Sequence, residues 1–292
     1  MGESEQAPWR FSPLAVVAES VAFVIGNFQA IVRWSLAPLT YGLGFSLFLP
    51  GIPAGSEGGG GVPGFLPALF LLAVILLWIR APLELRLCRK VLLNVRPGQF
   101  YGLELLEKRT WAYLWAYVRV ICLFVTACGP ALVIATMLAA PLARTGLVSS
   151  LPEAARSAVP MLGVFLLLAL LLYALLAPRV VLVFPDVAVN GPGRLFNQGP
   201  LGELSRRARW RIVAVMALIW APAHTLSALS YLGDAGGWWK SLTGSWEFVL
   251  ASYLLGFVTM VLSTVAGAVM YRLLRRRLPP GAIPDEGRTP KP

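Results

Sequence analysis

The chain has 292 residues, of which 57% are hydrophobic and only 13% charged, and its mean hydropathy is +0.70. Soluble domains usually carry about 25% charged residues, so this composition excludes an ordinary water-soluble fold. The formal net charge is +11, but most basic residues lie directly beside apolar stretches, where they meet anionic lipid headgroups rather than nucleic acid.

Six apolar stretches are long enough to cross a bilayer as helices, which takes about 20 residues each. They cover approximately residues 30–49, 62–83, 116–142, 157–181, 212–232 and 248–271. Basic residues are concentrated after the second, fourth and sixth stretches, as the positive-inside rule predicts when both termini are cytoplasmic. We therefore predict an all-α membrane bundle of six transmembrane helices. The abundance of arginine, alanine, glycine and proline indicates a bacterial inner membrane.

The chain is predicted to form a single integral membrane domain. A polar tail over residues 1–11 precedes a bundle over residues 12–278, and residues 279–292 form a disordered tail. The N-terminus lacks a signal-peptide pattern, so we expect the first span to stay in the mature protein. Ahead of that span, apolar residues recur every three or four positions, which predicts an amphipathic helix on the membrane surface. These residues are Leu14, Val17, Val21, Val24 and Phe28.

A regular proline spacing indicates an internal repeat. Pro38, Pro130 and Pro222 are 92 residues apart, each deep inside an odd-numbered span. This spacing predicts a threefold repeat of a surface helix followed by a hairpin of two spans. Coincidence is the alternative, because proline is common in this chain.

Few ionisable residues fall inside the predicted spans, where such residues are costly and are functional candidates. Arg80 and Glu84 are four apart on one face of the second span and can form an ion pair. They either stabilise that helix end or form a polar site within the bundle. His224 is the only histidine and follows Pro222. We expect it to form an interhelical hydrogen bond near the kink, with a metal or proton-relay role as the alternative.

Nothing in the sequence indicates catalysis. The usual hydrolase, metalloprotease and phosphate-binding motifs are absent. The three cysteines form no spaced cluster, so we expect no disulfide framework, no metal site and no cofactor. These features predict that the protein is not an enzyme.

The most concentrated basic feature surrounds Trp210, just before the fifth span. It consists of Arg206, Arg207, Arg209 and Arg211. Such a cluster suits binding of anionic lipid headgroups. The alternative is that it only orients the fifth span.

Two segments resemble a known pattern. Residues Leu182-Val183-Phe184-Pro185 end the fourth span, and Ser205 with Arg209-Trp210-Arg211-Ile212 precedes the fifth. This arrangement resembles bacterial six-helix membrane proteins related to the membrane domain of glycerophosphoryl diester phosphodiesterases. The resemblance implies the six-helix architecture. In those phosphodiesterases the catalytic chemistry resides in a separate soluble domain, for which this chain has no room. The resemblance therefore implies no catalytic residue in this chain.

These observations favour a non-enzymatic membrane protein that acts as an accessory or lipid-associated component. Its expected partners are anionic membrane lipids and a protein partner in the membrane. The alternative is a small transporter or channel with a path near the three prolines and His224. A transporter should have polar side chains facing a cavity inside the bundle, whereas a sealed apolar bundle would argue against one.

Overall fold

The computed structural model describes residues 11–48, 62–95, 105–143, 153–191, 200–233 and 245–278. Within these ranges the chain forms eight helices and no strand, which confirms the predicted all-helical class. The helices are α1 Pro13–Gly26, α2 Phe28–Phe48, α3 Val62–Leu93, α4 Lys108–Ala143, α5 Glu153–Asn190, α6 Pro200–Arg207, α7 Arg209–Gly233 and α8 Trp246–Arg275.

Three segments among the described residues are long and apolar enough to cross a membrane. They are Lys108–Ala127 in α4, Leu171–Asn190 in α5 and Trp246–Arg275, which is α8. A fourth is added if α1 and α2 are counted as one bent span. Each of the six predicted spans falls on a helix, but the count of six stays a prediction. The predicted tails lie outside the described residues, except Phe11, which is buried in the core.

The chain turns sharply between α1 and α2. The two helices meet at Asn27 with a bend of 84°. The backbone N–H of Asn27 donates to the Phe23 carbonyl at 3.0 Å, and its side-chain Nδ2 donates to the same oxygen at 2.9 Å. These bonds satisfy a carbonyl at the end of α1, where the helical pattern stops. A separate helix therefore precedes the first predicted span.

The buried face of α1 differs from its predicted apolar stripe. Val16 and Ser20 are buried against the bundle, and the Ser20 hydroxyl donates to the Val16 carbonyl at 2.7 Å. Leu14 and Phe28, both in the predicted stripe, are 68% and 62% exposed. The ends of the stripe are thus turned away from the bundle.

A second turn of this kind separates α6 from α7 at Ala208. The eight-residue helix α6 buries Leu201 and Ser205, and Ala208 is buried as well. Two of the three predicted repeat units therefore have a short helix ahead of their first span. At the 92-residue spacing, α6 corresponds to residues 108–115 of the middle unit, which form the start of the unbroken helix α4. No separate short helix is seen there among the described residues, so the threefold repeat stays a prediction.

The core lies at the end of the bundle that carries both turns. There the final residues of α3, α5 and α8 meet the first residues of α4 and α7. The second half of α8 is central, and its small residues Ala266, Gly267 and Ala268 are at a helix contact. A Cβ added to Gly267 would lie 3.3 Å from the Val181 carbonyl oxygen. Small residues permit such close helix packing in membranes.

Candidate functional site

A half-open cavity of about 260 Å³ lies beside the core, among α3, α4, α5, α7 and α8. Its described lining consists of apolar and aromatic side chains with a polar group on one wall. The lining residues are Arg80, Glu84, Cys88, Tyr113, Tyr117, Phe124, Tyr173, Val180, Val181, Phe184, Pro185, Met216, Trp220, Met260, Ser263, Thr264 and Gly267. The described bundle is therefore not a sealed apolar core.

The polar wall is built around the carboxylate of Glu84, which is only 3% exposed. Arg80 Nη2 donates to Glu84 Oε1 at 3.2 Å, and the two side chains form an ion pair. The Tyr113 hydroxyl donates to Glu84 Oε2 at 3.2 Å, and the Tyr117 hydroxyl donates to the same oxygen. A buried carboxylate is unfavourable by several kcal/mol unless it is paired and hydrogen-bonded. Three donors from two helices meet that requirement here.

Helical spacing on α3 and α4 brings these groups together. On α3, Arg80, Glu84 and Cys88 are four residues apart and share one face. On α4, Tyr113 and Tyr117 are also four apart and face Glu84. The sequence predicted the Arg80 and Glu84 pair but not the tyrosines. Their matching spacing of four was the only sequence feature that could have indicated them.

Arg80 is held less firmly than Glu84. Its guanidinium bonds only one oxygen of Glu84, unlike the two-pronged pairing that arginine often forms with carboxylates. Its side chain is 27% exposed, and its buried Nε has no hydrogen-bond partner among the described residues. Two of the three donors to Glu84, the hydroxyls of Tyr113 and Tyr117, therefore come from a different helix than Arg80.

Aromatic rings form the wall next to Glu84. The Phe184 ring centroid lies 4.5 Å from that of Tyr117 and 5.1 Å from that of Tyr113. Trp220 of α7 and the side chains of Met216 and Met260 complete this part of the lining. Mostly apolar walls with a few convergent polar groups are typical of sites for small molecules.

His224 does not take part in this site. It is exposed on α7, where its ring stacks on Trp220 of the same helix with centroids 5.7 Å apart. The interhelical hydrogen bond predicted for His224 is not seen among the described residues. Pro38, Pro130 and Pro222 do not line the cavity either. The polar cavity is therefore not where the sequence placed a transport path.

The predicted lipid-binding arginines lie at the turn between α6 and α7. Arg206 and Arg207 end α6 and are exposed, whereas Arg209 and Arg211 begin α7 and are partly buried. Trp210 between them is 70% exposed. We call Arg206, Arg207 and Trp210 the basic surface.

Two further polar contacts join distant helices. The Tyr271 hydroxyl and Asn190 Nδ2 both donate to Asp186 Oδ1 at 2.7 Å, linking α8 to α5. Arg272 pairs with Glu19, linking α8 to α1. Neither contact was predicted from the sequence, because each joins residues far apart in the chain. Both stabilise the end of the bundle that contains the cavity.

The described residues define an all-helical protein with three or four helices able to span a membrane and a polar cavity beside its core. Among them, no three His, Cys, Asp or Glu side chains are grouped so that they could hold a metal ion. Comparisons with protein-family models, curated proteins and solved structures find no match to the chain. The cavity and the basic surface are the two features of the described residues on which a proposal about function can be based.

Proposed function

We propose that the protein is a small membrane transporter that binds an amphiphilic solute in its cavity and carries out no catalysis. The observation that supports this proposal is the buried Glu84, with its three donors, on the wall of a cavity. Replacing a buried ion pair with apolar residues is often neutral or stabilising. A bundle with a purely structural role would therefore gain little from this pair, whereas a binding site needs it.

The proposal includes six spanning helices in a bacterial inner membrane, with both termini cytoplasmic. All six predicted spans coincide with helices, and α3, α4 and α5 have 32, 36 and 38 residues. Each of these exceeds the roughly 20 residues that a span requires. The basic connections support the orientation. The cavity then lies in the cytoplasmic half of the bundle.

Cys88 provides a test, because it lines the cavity and is fully buried. A transporter must open its site to water on at least one side of the membrane. In a C122S/C128S variant, we expect 2-(trimethylammonium)ethyl methanethiosulfonate, which does not cross bilayers, to label Cys88. Mass spectrometry of right-side-out and inside-out vesicles measures the labelling.

The matched control for this labelling is C88S/C122S/C128S/R276C, whose single thiol lies at an exposed position after α8, outside the cavity lining. An amphiphile that occupies the cavity should protect Cys88 and leave labelling of the R276C thiol unchanged. If Cys88 reacts only after denaturation in both vesicle orientations, the cavity does not open and the transport proposal is wrong.

A lipid-associated accessory protein is the second candidate, supported by the basic surface. Arg206 and Arg207 are exposed beside the exposed Trp210, at the start of a predicted span. Each basic residue near an anionic membrane contributes about 1 kcal/mol to binding. A protein partner in the membrane belongs to this candidate.

Native mass spectrometry from a mild detergent tests the second candidate. We expect R206Q/R207Q to lose bound phosphatidylglycerol while bound phosphatidylethanolamine is unchanged. The control R276Q/R277Q removes two exposed arginines that follow α8. Equal phosphatidylglycerol occupancy in the two double variants would remove the support for lipid recognition at the basic surface.

A further inference from the structure

We infer that the cavity binds a small lipophilic organic cation, whose cationic group displaces Arg80 from Glu84. This inference rests on the proposed function and specifies its class of solute. In the absence of solute, Arg80 acts as the counter-ion of Glu84. When the solute binds, Glu84 stays in place, and the cationic group of the solute replaces Arg80 as its counter-ion.

The carboxylate of Glu84 is the group that would pair with a bound cation. Glu84 is the only acidic residue in the described lining of the cavity. The hydroxyls of Tyr113 and Tyr117 both donate to its Oε2, from a different helix than Arg80. Arg80 bonds the other oxygen, Oε1. A cationic group entering the cavity can therefore take Oε1 without disturbing the tyrosines.

Arg80 is bound to Glu84 loosely enough to be displaced by another cation. A single hydrogen bond of 3.2 Å holds its guanidinium to Glu84, and its side chain is partly exposed. Arg80 is also the only basic residue in the described lining. Arg86 lies two residues after Glu84, but its guanidinium is 5.9 Å from the Trp34 ring centroid of α2, outside that lining. Movement of Arg80 alone would therefore leave the described cavity wall with a net negative charge.

The aromatic and methionine side chains that line the cavity suit a cation with an apolar body. The rings of Tyr113, Tyr117 and Phe184 lie beside the carboxylate, and Trp220 also lines the cavity. Ring faces attract cations, with the strongest attraction at desolvated sites. The polarisable side chains of Met216 and Met260 suit an irregular apolar body. An anion in the cavity could pair with Arg80, but the nearby negative charge of Glu84 would repel it.

Isothermal titration calorimetry with benzyltrimethylammonium tests the inference. The protein is kept in a non-ionic detergent, so that no lipid headgroup competes. We expect E84Q to weaken binding at least about tenfold, and R80Q to strengthen it about tenfold because the competing cation is gone. The matched controls E247Q and R119Q alter exposed residues outside the cavity lining and should leave binding unchanged.

Two comparison compounds isolate the charge. Neopentylbenzene has the same shape without the charge, and benzenesulfonate has the opposite charge, so both should bind at least about tenfold more weakly. A third variant, F184L, removes a ring that does not bond to Glu84, and it should weaken cation binding severalfold. F184L and R80Q keep the inference testable if E84Q fails to fold.

Weaker cation binding in R80Q would show that Arg80 supports the site and does not compete for Glu84. Tighter binding of benzenesulfonate than of the cation would show that the site recognises an anion. Either result would overturn the inference. Equal affinity for neopentylbenzene would overturn it as well. Labelling of Cys88 without ligand is repeated with the negatively charged reagent 2-sulfonatoethyl methanethiosulfonate, so that opening of the cavity is measured with both signs of charge. A transporter of another solute class would therefore still pass that test while failing this one.

Discussion

At the scale of single residues, Gly42 has the least space for a side chain among the described glycines. A Cβ added there would overlap the hydroxyl of Tyr253 on α8. That hydroxyl donates to the carbonyls of Pro38 and Leu39 at 3.3 Å each. Gly42 therefore leaves room for the Tyr253 hydroxyl to bond α8 to α2 beside Pro38.

We expect G42A to lower the Tm in detergent, because an overpacked contact destabilises by about 1–3 kcal/mol. G44A is the matched control, since a Cβ at Gly44 meets nothing within 4 Å. Alanine is also favoured over glycine inside a helix by roughly 1 kcal/mol, so G44A should keep or raise the Tm. Equal Tm values for the two variants would contradict the close contact between α2 and α8.

Residue spacing alone predicted part of the candidate site. Arg80 and Glu84 lie one helical turn apart, so the sequence predicts their pairing directly. Tyr113 and Tyr117 lie 29 and 33 residues from Glu84, and their contact depends on how α3 packs against α4. The sequence specifies the spacing within each helix but not which faces meet. The arginines around Trp210 are evident from sequence because they are chain neighbours, but their role in lipid binding stays a prediction.

At the scale of elements, the helices were predicted better than their faces. Long apolar runs identify helices in a membrane protein, because a helix satisfies its own backbone hydrogen bonds in lipid. Lipid and protein interior are both apolar, so hydrophobic periodicity does not separate a lipid-facing side from a buried one. Accordingly, Ser20 of α1 is buried while Leu14 is exposed. His224, expected to bond another helix, is exposed for the same reason.

The ends of several elements were also missed. The predicted second and fourth spans end at residues 83 and 181, but α3 continues to Leu93 and α5 to Asn190. A hydropathy pattern ends where charged and polar residues appear, whereas helical hydrogen bonding continues past them. α3 stops before Asn94, at a φ of 51°, and α5 before Gly191, at a φ of 78°. These left-handed conformations are common at helix ends.

At the scale of the whole molecule, the polar features are gathered at one end. The cavity, the basic surface, and the turns at Asn27 and Ala208 all belong to the end where α3, α5 and α8 finish. Exposed tryptophans fit the two membrane interfaces, with Trp111, Trp115 and Trp210 at this end and Trp246 at the start of α8. In the proposed orientation this end faces the cytoplasm, so a solute would reach Glu84 most directly from that side.

Reporter fusions in a bacterial host test this orientation. We expect green fluorescent protein fused after residue 278 or residue 100 to fluoresce, and alkaline phosphatase at those positions to be inactive. After residue 57, between the first two predicted spans, the two reporters should give the opposite result. We expect this reporter pattern because the basic residues that follow the second, fourth and sixth predicted spans resist translocation across the membrane.

The fusion after residue 100 is the internal control, since six spans place it on the same side as the C-terminus. If phosphatase is active after residue 278 but inactive after residue 100, the two positions lie on opposite sides of the membrane. An odd number of spans would then follow α3. Active phosphatase at both positions would invert the molecule and place the cavity in the outer half of the bundle. The same charged reagent would then label Cys88 from the outside, so the fusions and the labelling experiment must agree on which side the site opens.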